Sequence, residues 1–519
     1  MKPIDANSAG LVEIMDTTLR DGEQMRDVSY GSHDKLTLAR LLIEELKVDR
    51  IEIASAKVSS GEEDSCRTVL SWARERGYQD RVEILGFTDH AVSADWITGV
   101  GGTVLNLLAK GSLKHCREQL RKTPEEHLSD IRDTLAYAQG KRLTCNLYLE
   151  DWSGGMLQDP DYVWFLLDGL SDTGVVRFML PDTLGILSPS QTAEMAGMVL
   201  ARYPDRRFDF HAHNDYGLAT ANTLAAIGAG IRGVHCTING MGERAGNASL
   251  DEVAVGLRDF LGLSCGIDET KLHVLAKTVE IFSGHRIPLN KPITGTNVFT
   301  QTAGIHADGD RKGNLYAGNL LPERFGRHRQ YALGKLSSKS NLDYNLKTLG
   351  IELSAEQKEA VLKRIVTLGD LKQSITTEDL PYIIADVLDA PKTDRFYLEG
   401  CYVVSSLGIR PTATVKVGKR NGSPETRMIF EETAQGDGGF DAFMNCLEKI
   451  ARNMGFAMPK LLDYQITIPP GGKTDALVQC TITWEGTPPL VTKGVDSDQV
   501  LAGAEAAMKV FNIIAAGSR

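Results

Sequence analysis

Residues 11–261 alternate eight times between a short apolar run and a longer segment whose apolar residues recur at helical spacing. Strands that are each followed by a helix run parallel, because a parallel neighbour needs a long crossover connection. Eight such units over about 250 residues are the pattern of a (β/α)8 TIM barrel. The predicted strands are residues 11–15, 50–53, 82–87, 103–108, 144–149, 175–180, 208–211 and 233–237.

Polar residues directly follow several of these predicted strands. The active sites of such barrels lie at the carboxyl ends of the strands, so these residues are expected to line one mouth of the barrel. They are Arg20, Asp21, Glu150, Asp182, Thr183, His213 and the segment 239–247.

Two histidines on the seventh predicted strand favour a metal site. His211 and His213 are two residues apart and therefore point to the same face of the strand. If strands one and seven end side by side, Asp21 completes a set of two histidines and one carboxylate. Such a set leaves positions open for substrate, as in a catalytic metal site. The residues alone also allow a salt-bridging Asp21 and packed histidines.

Bulk properties exclude several other classes of protein. With 519 residues, the chain is expected to form two or three domains, and its net charge of −11 argues against nucleic acid as a partner. No uncharged apolar run reaches the roughly 18 residues of a membrane span, and the first residues lack the apolar core of a signal peptide. The eight cysteines are scattered singly, as expected of reduced thiols, so a cytoplasmic location is predicted.

The pattern changes after the barrel. Residues 287–336 are rich in Gly, Asn and basic residues and predict a loop-dominated linker, which is followed by a small helical subdomain. From about residue 396, the order strand, strand, helix occurs twice, which indicates an internal duplication and a pseudo-symmetric α+β domain. The predicted domains are a barrel over 1–285, linker and helical subdomains over 286–393, and a C-terminal domain over 394–519.

Four motifs resemble those of one enzyme superfamily. They are DTTLRDGEQ at 16–24, HAHND at 211–215, NGMGERAGNASL at 239–250 and GIHADG at 304–309. This set is similar to the signature of the DRE-type TIM-barrel metal-dependent lyases and synthases, and within them to the isopropylmalate, citramalate and homocitrate synthases. The match spans most of the chain.

The resemblance implies a divalent metal ion, Mn²⁺, Zn²⁺ or Mg²⁺, held by Asp21, His211 and His213. Asn247 is the expected neutral fourth ligand. Such an ion would take a 2-oxo acid through its ketone oxygen and one carboxylate oxygen.

Two further residues of the barrel are expected to hold the 2-oxo acid. Arg20 is predicted to stabilise the ketone oxygen as it becomes an alkoxide. Thr183 would offer its hydroxyl and N–H to the substrate carboxylate. A structural ion pair for Arg20 and a turn position for Thr183 are the alternatives.

In the resembling family, acetyl-CoA is joined to the ketone and its thioester is then hydrolysed to release CoA. Removing a proton from the acetyl methyl needs a base. The candidates are Glu150 in the barrel mouth, and His306 with Asp308 and Tyr316 in the linker. The resemblance favours His306, with Glu150 near the acetyl group, and implies that this linker reaches the barrel of the partner subunit in a homodimer or higher oligomer. Sequence alone leaves the choice of base open.

The linker departs from the family's commoner form. Ala307 stands where glutamine is frequent, and residues 334–338 read GKLSS where GKHSG is usual. The motifs of the barrel are intact, so these departures bear on the linker alone.

The pocket for the side chain of the 2-oxo acid is expected to contain Leu85, Leu108 and Tyr148. In the resembling synthases, bulky apolar residues at these positions are typical of citramalate synthases and smaller or polar ones of isopropylmalate synthases. They leave room for a methyl group, so pyruvate is predicted and the reaction would give (R)-citramalate on the isoleucine pathway. The alternatives are 2-isopropylmalate synthase, homocitrate synthase and an inactive amino-acid sensor.

The resemblance also implies that the C-terminal domain binds a branched-chain amino acid as feedback inhibitor. Its Gly-rich turns at 436–439 and 469–473 could offer backbone N–H groups to a carboxylate. On composition alone they could equally be simple tight turns.

Overall fold

The computed structural model of the protein describes residues 11–313, 315–370, 375–388, 396–419, 428–468, 478–486 and 489–517. The chain forms two compact units. One comprises the chain up to Phe299 together with Gly318–His328, and the other comprises Thr300–Ala317 and the chain from Arg329 onward. The predicted division into three domains at residues 285 and 393 stays a prediction.

The first unit is built on a closed barrel of eight strands, in which each strand is paired with its neighbours in parallel and β8 closes on β1. This confirms the predicted (β/α)8 fold. The strands are β1 Glu13–Asp16, β2 Arg50–Ser55, β3 Val82–Phe87, β4 Val104–Lys110, β5 Thr144–Glu150, β6 Phe178–Asp182, β7 Phe208–Ala212 and β8 Gly233–Cys236.

Helices follow the strands as predicted, with a short additional helix after β5 and another after the barrel. The helices are α1 Ser32–Arg40, α2 Ser60–Arg76, α3 Val92–Val100, α4 Pro124–Gly140, α5 Trp152–Gln158, α6 Pro160–Gly169, α7 Pro189–Arg202, α8 Ala219–Ala229, α9 Leu250–Leu261 and α10 Leu272–Ser283.

Helix starts in the barrel are specified locally. At α4, the hydroxyl of Thr123 accepts from the N–H of Glu126, whose carboxylate in turn accepts from the N–H of Thr123. Ser188 and Gln191 form the same reciprocal cap at α7, and both helices carry proline at the first position. These caps satisfy N–H groups that the helix itself leaves unpaired.

The interior of the barrel is unusually polar. Arg50 on β2 bonds to Glu83 on β3 at 2.9 Å and to Asp209 on β7 at 2.5 Å. Strands β2 and β7 are not neighbours in the sheet, so these side chains must cross the inside of the barrel. Arg177 also pairs with Asp209, at 3.4 Å. The apolar core lies instead between the strands and the surrounding helices.

A later segment of the chain returns to the barrel unit. Within Gly318–His328, Arg324 forms ion pairs with Asp259 at 2.8 Å and with Glu269 at 2.5 Å. The guanidinium of Arg327 donates to the carbonyl of Gly295 at 2.9 Å. These bonds tie the returning segment to the end of α9 and to the chain that leaves the barrel.

The second unit contains a helical part with its own apolar cluster, which confirms the predicted helical subdomain. The predicted loop-dominated linker is wrong in one respect, because residues around GIHADG form a helix. The elements are β9 Thr300–Gln301, α11 Gly304–Arg311, β10 Gln330–Tyr331, α12 Lys339–Thr348, α13 Ala355–Asp370 and α14 Leu380–Val387.

The C-terminal part of this unit is the predicted duplicated α+β fold, but each repeat has three strands and not two. The pattern missed the third strand of each repeat. Each repeat is an antiparallel sheet followed by a helix. They contain β11 Phe396–Ser406, β12 Ile409–Lys419, β13 Met428–Gln435 and α15 Gly439–Asn453, then β14 Leu461–Thr467, β15 Val478–Trp484, β16 Leu490–Asp496 and α16 Gln499–Gly517.

Among the described residues, α16 is the one helix long and apolar enough by composition to cross a membrane. The stretch Gln499–Ala516 is 44% buried, and the helix packs on β15 and β16. Phe511 of this helix contacts Phe396 and Phe456. The apolar composition of α16 is therefore explained by its place in the core of the duplicated domain.

The polar interior depends on a glycine of β8. A Cβ at Gly233 would lie 1.9 Å from Oδ1 of Asp209, so Gly233→Ala is expected to lower the free energy of unfolding by about 1–3 kcal/mol, as overpacking does. At Gly228 in α8 a Cβ would meet only Leu261, at 3.9 Å, so Gly228→Ala should raise the free energy of unfolding by about 0.5–1 kcal/mol. Urea unfolding followed by circular dichroism measures both, and equal effects would contradict this account.

Candidate active site

Asp21, His211 and His213 come together at the carboxyl end of the barrel, where each offers a ligand atom within 4.8 Å of the others. Nε2 of His211 lies 3.1 Å from Oδ2 of Asp21 and 3.3 Å from Nε2 of His213. All three side chains are buried. Two imidazole nitrogens and a carboxylate oxygen that converge in this way are a donor set for a divalent cation.

The protonation of these groups suits metal binding. Burial and the neighbouring His211 lower the pKa of His213 to about 3, so its ring is neutral at pH 7. Burial alone would raise the pKa of Asp21, but Arg20 and His211 outweigh it and hold that pKa well below its ordinary value. A neutral imidazole and an ionised carboxylate are the forms that bind a metal.

Asn247 completes the set from the loop after β8. Its Nδ2 donates to Oδ2 of Asp21 at 2.8 Å, and a backbone bridge joins it to His213. Its Oδ1 is buried and has no hydrogen-bond partner among the described residues. A buried amide oxygen without a donor fits a metal, because an unpaired buried acceptor is otherwise costly. The four residues therefore fit a divalent ion.

The glycines around Asn247 make this loop possible. Gly246 has φ +88, and a Cβ there would lie 2.0 Å from the carbonyl oxygen of Gly240. A Cβ at Gly242 would lie 2.8 Å from Oδ1 of Asn247. The motif GMGERAGN therefore adopts a backbone conformation that requires glycine at positions 242 and 246.

The first residues of DTTLRDGEQ have a structural role that the sequence did not reveal. The carboxylate of Asp16 accepts from the N–H and the hydroxyl of Thr18, both at 2.9 Å, and the Thr18 hydroxyl accepts from the N–H of Ile238 at 2.8 Å. Burial raises the pKa of Asp16 to about 7. These bonds lock the loop after β1 to the loop after β8, so that Asp21 and Asn247 meet.

Arg20 lies beside the metal ligands in a fixed orientation. Its Nε donates to Glu52 at 2.5 Å, and its terminal nitrogens lie 3.4 Å from Asp21 and 3.4 Å from the hydroxyl of Tyr148. Glu52 is in turn bonded by Asn106 at 2.7 Å. Glu52 and Asn106 were not expected from sequence, although Asn106 stands two residues before Leu108 on β4 and so shares its face of the strand. They make Arg20 a preorganised cation.

The three residues predicted to shape the pocket lie in one small apolar cluster, separate from the main core. Leu85 and Tyr148 are buried there, and Leu108 packs against them. Met15 and Met179, which were not expected from the sequence, belong to the same cluster. The structure thus encloses this part of the barrel with large side chains from five strands.

Tyr148 is also the top of a buried hydrogen-bond chain. Its hydroxyl lies 3.0 Å from Nδ1 of His235, and Nε2 of His235 lies 3.2 Å from Oδ2 of Asp209. Burial raises the pKa of Tyr148 well above its ordinary value and lowers that of His235 to about 3, so both are neutral at pH 7. His235 was not singled out from the sequence, although it is an inward residue of β8.

The remaining predicted residues of the barrel lie at its mouth. The Thr183 hydroxyl accepts from the N–H of Asp151 at 2.9 Å, which leaves its own proton to donate. Glu150 forms an ion pair with Lys110, the residue opposite it on β4. Asp182 ends β6, at the carboxyl end of the strand where it was expected, and its carboxylate accepts from the N–H groups of Ile186 and Leu187. Asp182 is therefore occupied in shaping its loop.

The linker residues lie in the second unit. The rings of His306 and Tyr316 are in contact, with centroids 4.2 Å apart, and Asp308 pairs with Lys312 at 2.6 Å. The structure thus groups His306 with Tyr316, and their predicted role as base and partner stays a prediction.

Of the two Gly-rich turns expected to bind an effector, the one at 436–439 leads into α15, which begins at Gly439. The carboxylate of Asp441 accepts from the N–H of Asp437 at 2.8 Å. The turn at 469–473 lies outside the described residues. Effector binding at either turn stays a prediction.

Three family models match the chain and together cover most of it. The HMGL-like model matches residues 11–279, which include the barrel. The model described as homocitrate synthase post-HMGL domain-like matches residues 293–373. The LeuA allosteric (dimerisation) domain matches residues 374–515, which contain the duplicated fold.

Full-length relatives carry two different names. The chain is 34% identical to the (R)-citramalate synthase CimA of Methanocaldococcus jannaschii, over 97% of this chain and 99% of that protein. It is 32% identical to a protein of Methanopyrus kandleri named "Probable 2-isopropylmalate synthase", over 97% of this chain and 98% of that protein. The similarity therefore extends over the barrel, the linker and the duplicated domain.

The unpartnered amide oxygen of Asn247 leads to a binding prediction. Asn247→Ala removes the expected fourth ligand, so we expect Mn²⁺ to bind to the metal-free variant about tenfold or more weakly than to the metal-free wild type. Isothermal titration calorimetry measures this without any substrate. Asn222→Ala is the control. Asn222 is also buried, and its Oδ1 likewise has no partner in the part of the chain that the structure describes, but its Nδ2 donates to the carbonyl of Leu187. Equal loss of affinity in both variants would exclude Asn247 as a ligand.

Proposed function

Because the chain belongs to the citramalate synthase and 2-isopropylmalate synthase family, we propose that it condenses acetyl-CoA with pyruvate and releases (R)-citramalate and CoA. It is an acyl-CoA condensing enzyme of this type with a LeuA allosteric domain. The observation that carries the choice of pyruvate is the apolar cluster of Leu85, Leu108 and Tyr148.

The large side chains of that cluster favour pyruvate, the smallest of the candidate 2-oxo acids. Leu85 and Tyr148 are buried, and Tyr148 is fixed at its hydroxyl by His235 and Arg20. A methyl group needs little room beside them, whereas an isopropyl group would have to displace large side chains. Each additional methylene that a pocket rejects is worth about 1–3 kcal/mol, which supports a preference for pyruvate and not an absolute exclusion.

Residues beside the metal ligands suit the 2-oxo acid. A divalent ion held by Asp21, His211, His213 and Asn247 supplies Lewis-acid polarisation of a ketone when bound. Arg20, braced by Glu52 at 2.5 Å, is a fixed donor for the ketone oxygen as negative charge develops on it. A preorganised donor of this kind is typically worth about 10²–10³ in rate.

The co-substrate must lose a proton from its acetyl methyl before carbon–carbon bond formation. A carboxylate or an imidazole receives this proton, and the resulting carbanion equivalent attacks the ketone carbon. Glu150 at the barrel mouth and His306 with Asp308 and Tyr316 are the proposed groups. Water then cleaves the thioester, so that free CoA and a carboxylate result. Thr183, whose hydroxyl proton is available, is proposed to hold the carboxylate of the 2-oxo acid.

The second candidate is 2-isopropylmalate synthase, which joins acetyl-CoA to 2-oxoisovalerate. A full-length relative with the name "Probable 2-isopropylmalate synthase" is 32% identical, close to the 34% of the citramalate synthase. The filled pocket argues against this substrate. Homocitrate synthase is less favoured, because the apolar cluster contains no basic residue for a second carboxylate.

A substrate panel tests the proposal. The purified protein with Mn²⁺ and acetyl-CoA is expected to release free thiol with pyruvate at least about tenfold faster, in kcat/KM, than with 2-oxoisovalerate. A thiol-reactive dye follows the release, and mass spectrometry identifies the product. Release with 2-oxoisovalerate alone would replace pyruvate with that substrate, and release with none would favour the amino-acid sensor.

The LeuA domain leads to a proposal on regulation. We expect the protein to be a homodimer or a higher homo-oligomer whose activity falls when isoleucine is added, with leucine as the matched control amino acid. Thiol release at increasing concentrations of each amino acid measures this, and light scattering gives the oligomer. Stronger inhibition by leucine would contradict a place in isoleucine synthesis.

A further inference from the structure

A hydrogen-bond chain connects the floor of the barrel to the pocket. It runs from Asp209 through His235 and Tyr148 to Arg20, with distances of 3.2, 3.0 and 3.4 Å between successive partners. Asp209 and His235 are at most 1% exposed and Tyr148 is 3% exposed. Water therefore has little access to this chain, and each group must find its partner within it.

The direction of each bond follows from the groups at the two ends. Asp209 also accepts from Arg50 and Arg177, so it is an ionised carboxylate and can only accept. Nε2 of His235 must then carry a proton and donate it. His235 is almost completely buried, and burial keeps its ring neutral. With the proton on Nε2, Nδ1 carries a lone pair and can only accept.

That acceptor fixes Tyr148. The Tyr148 hydroxyl donates its one proton to Nδ1 of His235, and its oxygen is left to accept from the guanidinium of Arg20. The phenol ring is thus held at its tip from below and from above. The edge of its ring also contacts the ring of His235, with centroids 5.4 Å apart.

We propose that His235 is a positioning residue for substrate selection, because it holds Tyr148 in the conformation that closes the 2-oxo acid pocket around a methyl group. The inference rests on the proposed function. His235 touches no substrate in this proposal. It acts through Tyr148, which together with Leu85 and Leu108 limits the room for the substrate's side chain.

The proposal predicts a change in selectivity, beyond any change in stability. Without the acceptor at Nδ1, Tyr148 is free to leave the pocket and a longer side chain can enter. For His235→Leu, we expect the ratio of kcat/KM for pyruvate to that for 2-oxobutyrate to fall about tenfold. This is the usual size of the discrimination between two substrates that differ by one methylene. His235→Asn, whose amide can replace the acceptor, should keep most of the wild-type ratio.

A second buried histidine supplies a matched control. His127 on α4 is 1% exposed, and its Nδ1 lies 2.6 Å from the hydroxyl of Tyr162 on α6. His127→Leu removes the same kind of bond in the outer layer of the barrel unit. It should lower the urea midpoint as His235→Leu does but leave the substrate ratio unchanged.

A double-mutant cycle isolates the bond itself. In a Tyr148→Phe background the hydroxyl is absent. Adding His235→Leu there should change the substrate ratio and the urea midpoint less than it changes them in the wild type. If the shifts in midpoint add, or if His235→Leu slows all 2-oxo acids equally, His235 has no such role. The urea midpoints can be measured without enzymatic activity. The hydrogen bond between His235 and Tyr148 is therefore tested even if the proposed function is wrong.

A failure of the proposed function has a different signature. In that case the unmodified enzyme itself fails to prefer pyruvate in the substrate panel, whatever the variants do. A wild type that prefers pyruvate, with an unchanged ratio in His235→Leu, overturns the inference on His235 alone.

Discussion

A carboxylate with no exposed surface, Asp209, stands at the centre of the barrel and must be compensated. Arg50 and Arg177 supply two positive charges, and His235 supplies a neutral donor. An ionised group without such partners would cost several kcal/mol. The closed barrel brings these side chains to one point from β2, β7, β8 and the residue before β6. The polar layer is therefore matched to the register of the strands below the site.

The same polar layer also holds side chains at the carboxyl end of the barrel in place. His235 carries the hydrogen-bond chain from Asp209 to Tyr148, and Tyr148 meets Arg20. Arg20 is also held by Glu52 and lies 3.4 Å from Asp21. Paired charges of this kind contribute little net stability compared with apolar packing, but they specify one arrangement. The polar interior is thus better understood as a support for the site than as a source of stability.

Much of this organisation could be predicted from sequence. The eight strands follow from apolar runs at regular spacing, and the cluster of Asp21, His211 and His213 follows from their places at strand ends. Glu52, Asn106 and His235 could not be found in this way, because an inward polar residue and an outward one look alike in a single strand. Their significance appears only when partners from distant strands meet. The third strand of each C-terminal repeat was missed because its side chains are partly exposed and form no continuous apolar run.

The route of the chain between the two units has a consequence for dissecting the protein. The backbone leaves the barrel unit after Phe299, returns for Gly318–His328 and leaves again. Arg324 on the returning stretch is clasped by Asp259 and Glu269. No single break in the backbone separates the two units. A fragment that ends at Phe299 lacks the returning stretch, and with it the ion pairs of Arg324 to the barrel unit. Because the two units alternate along the sequence, neither can be exchanged as one continuous segment.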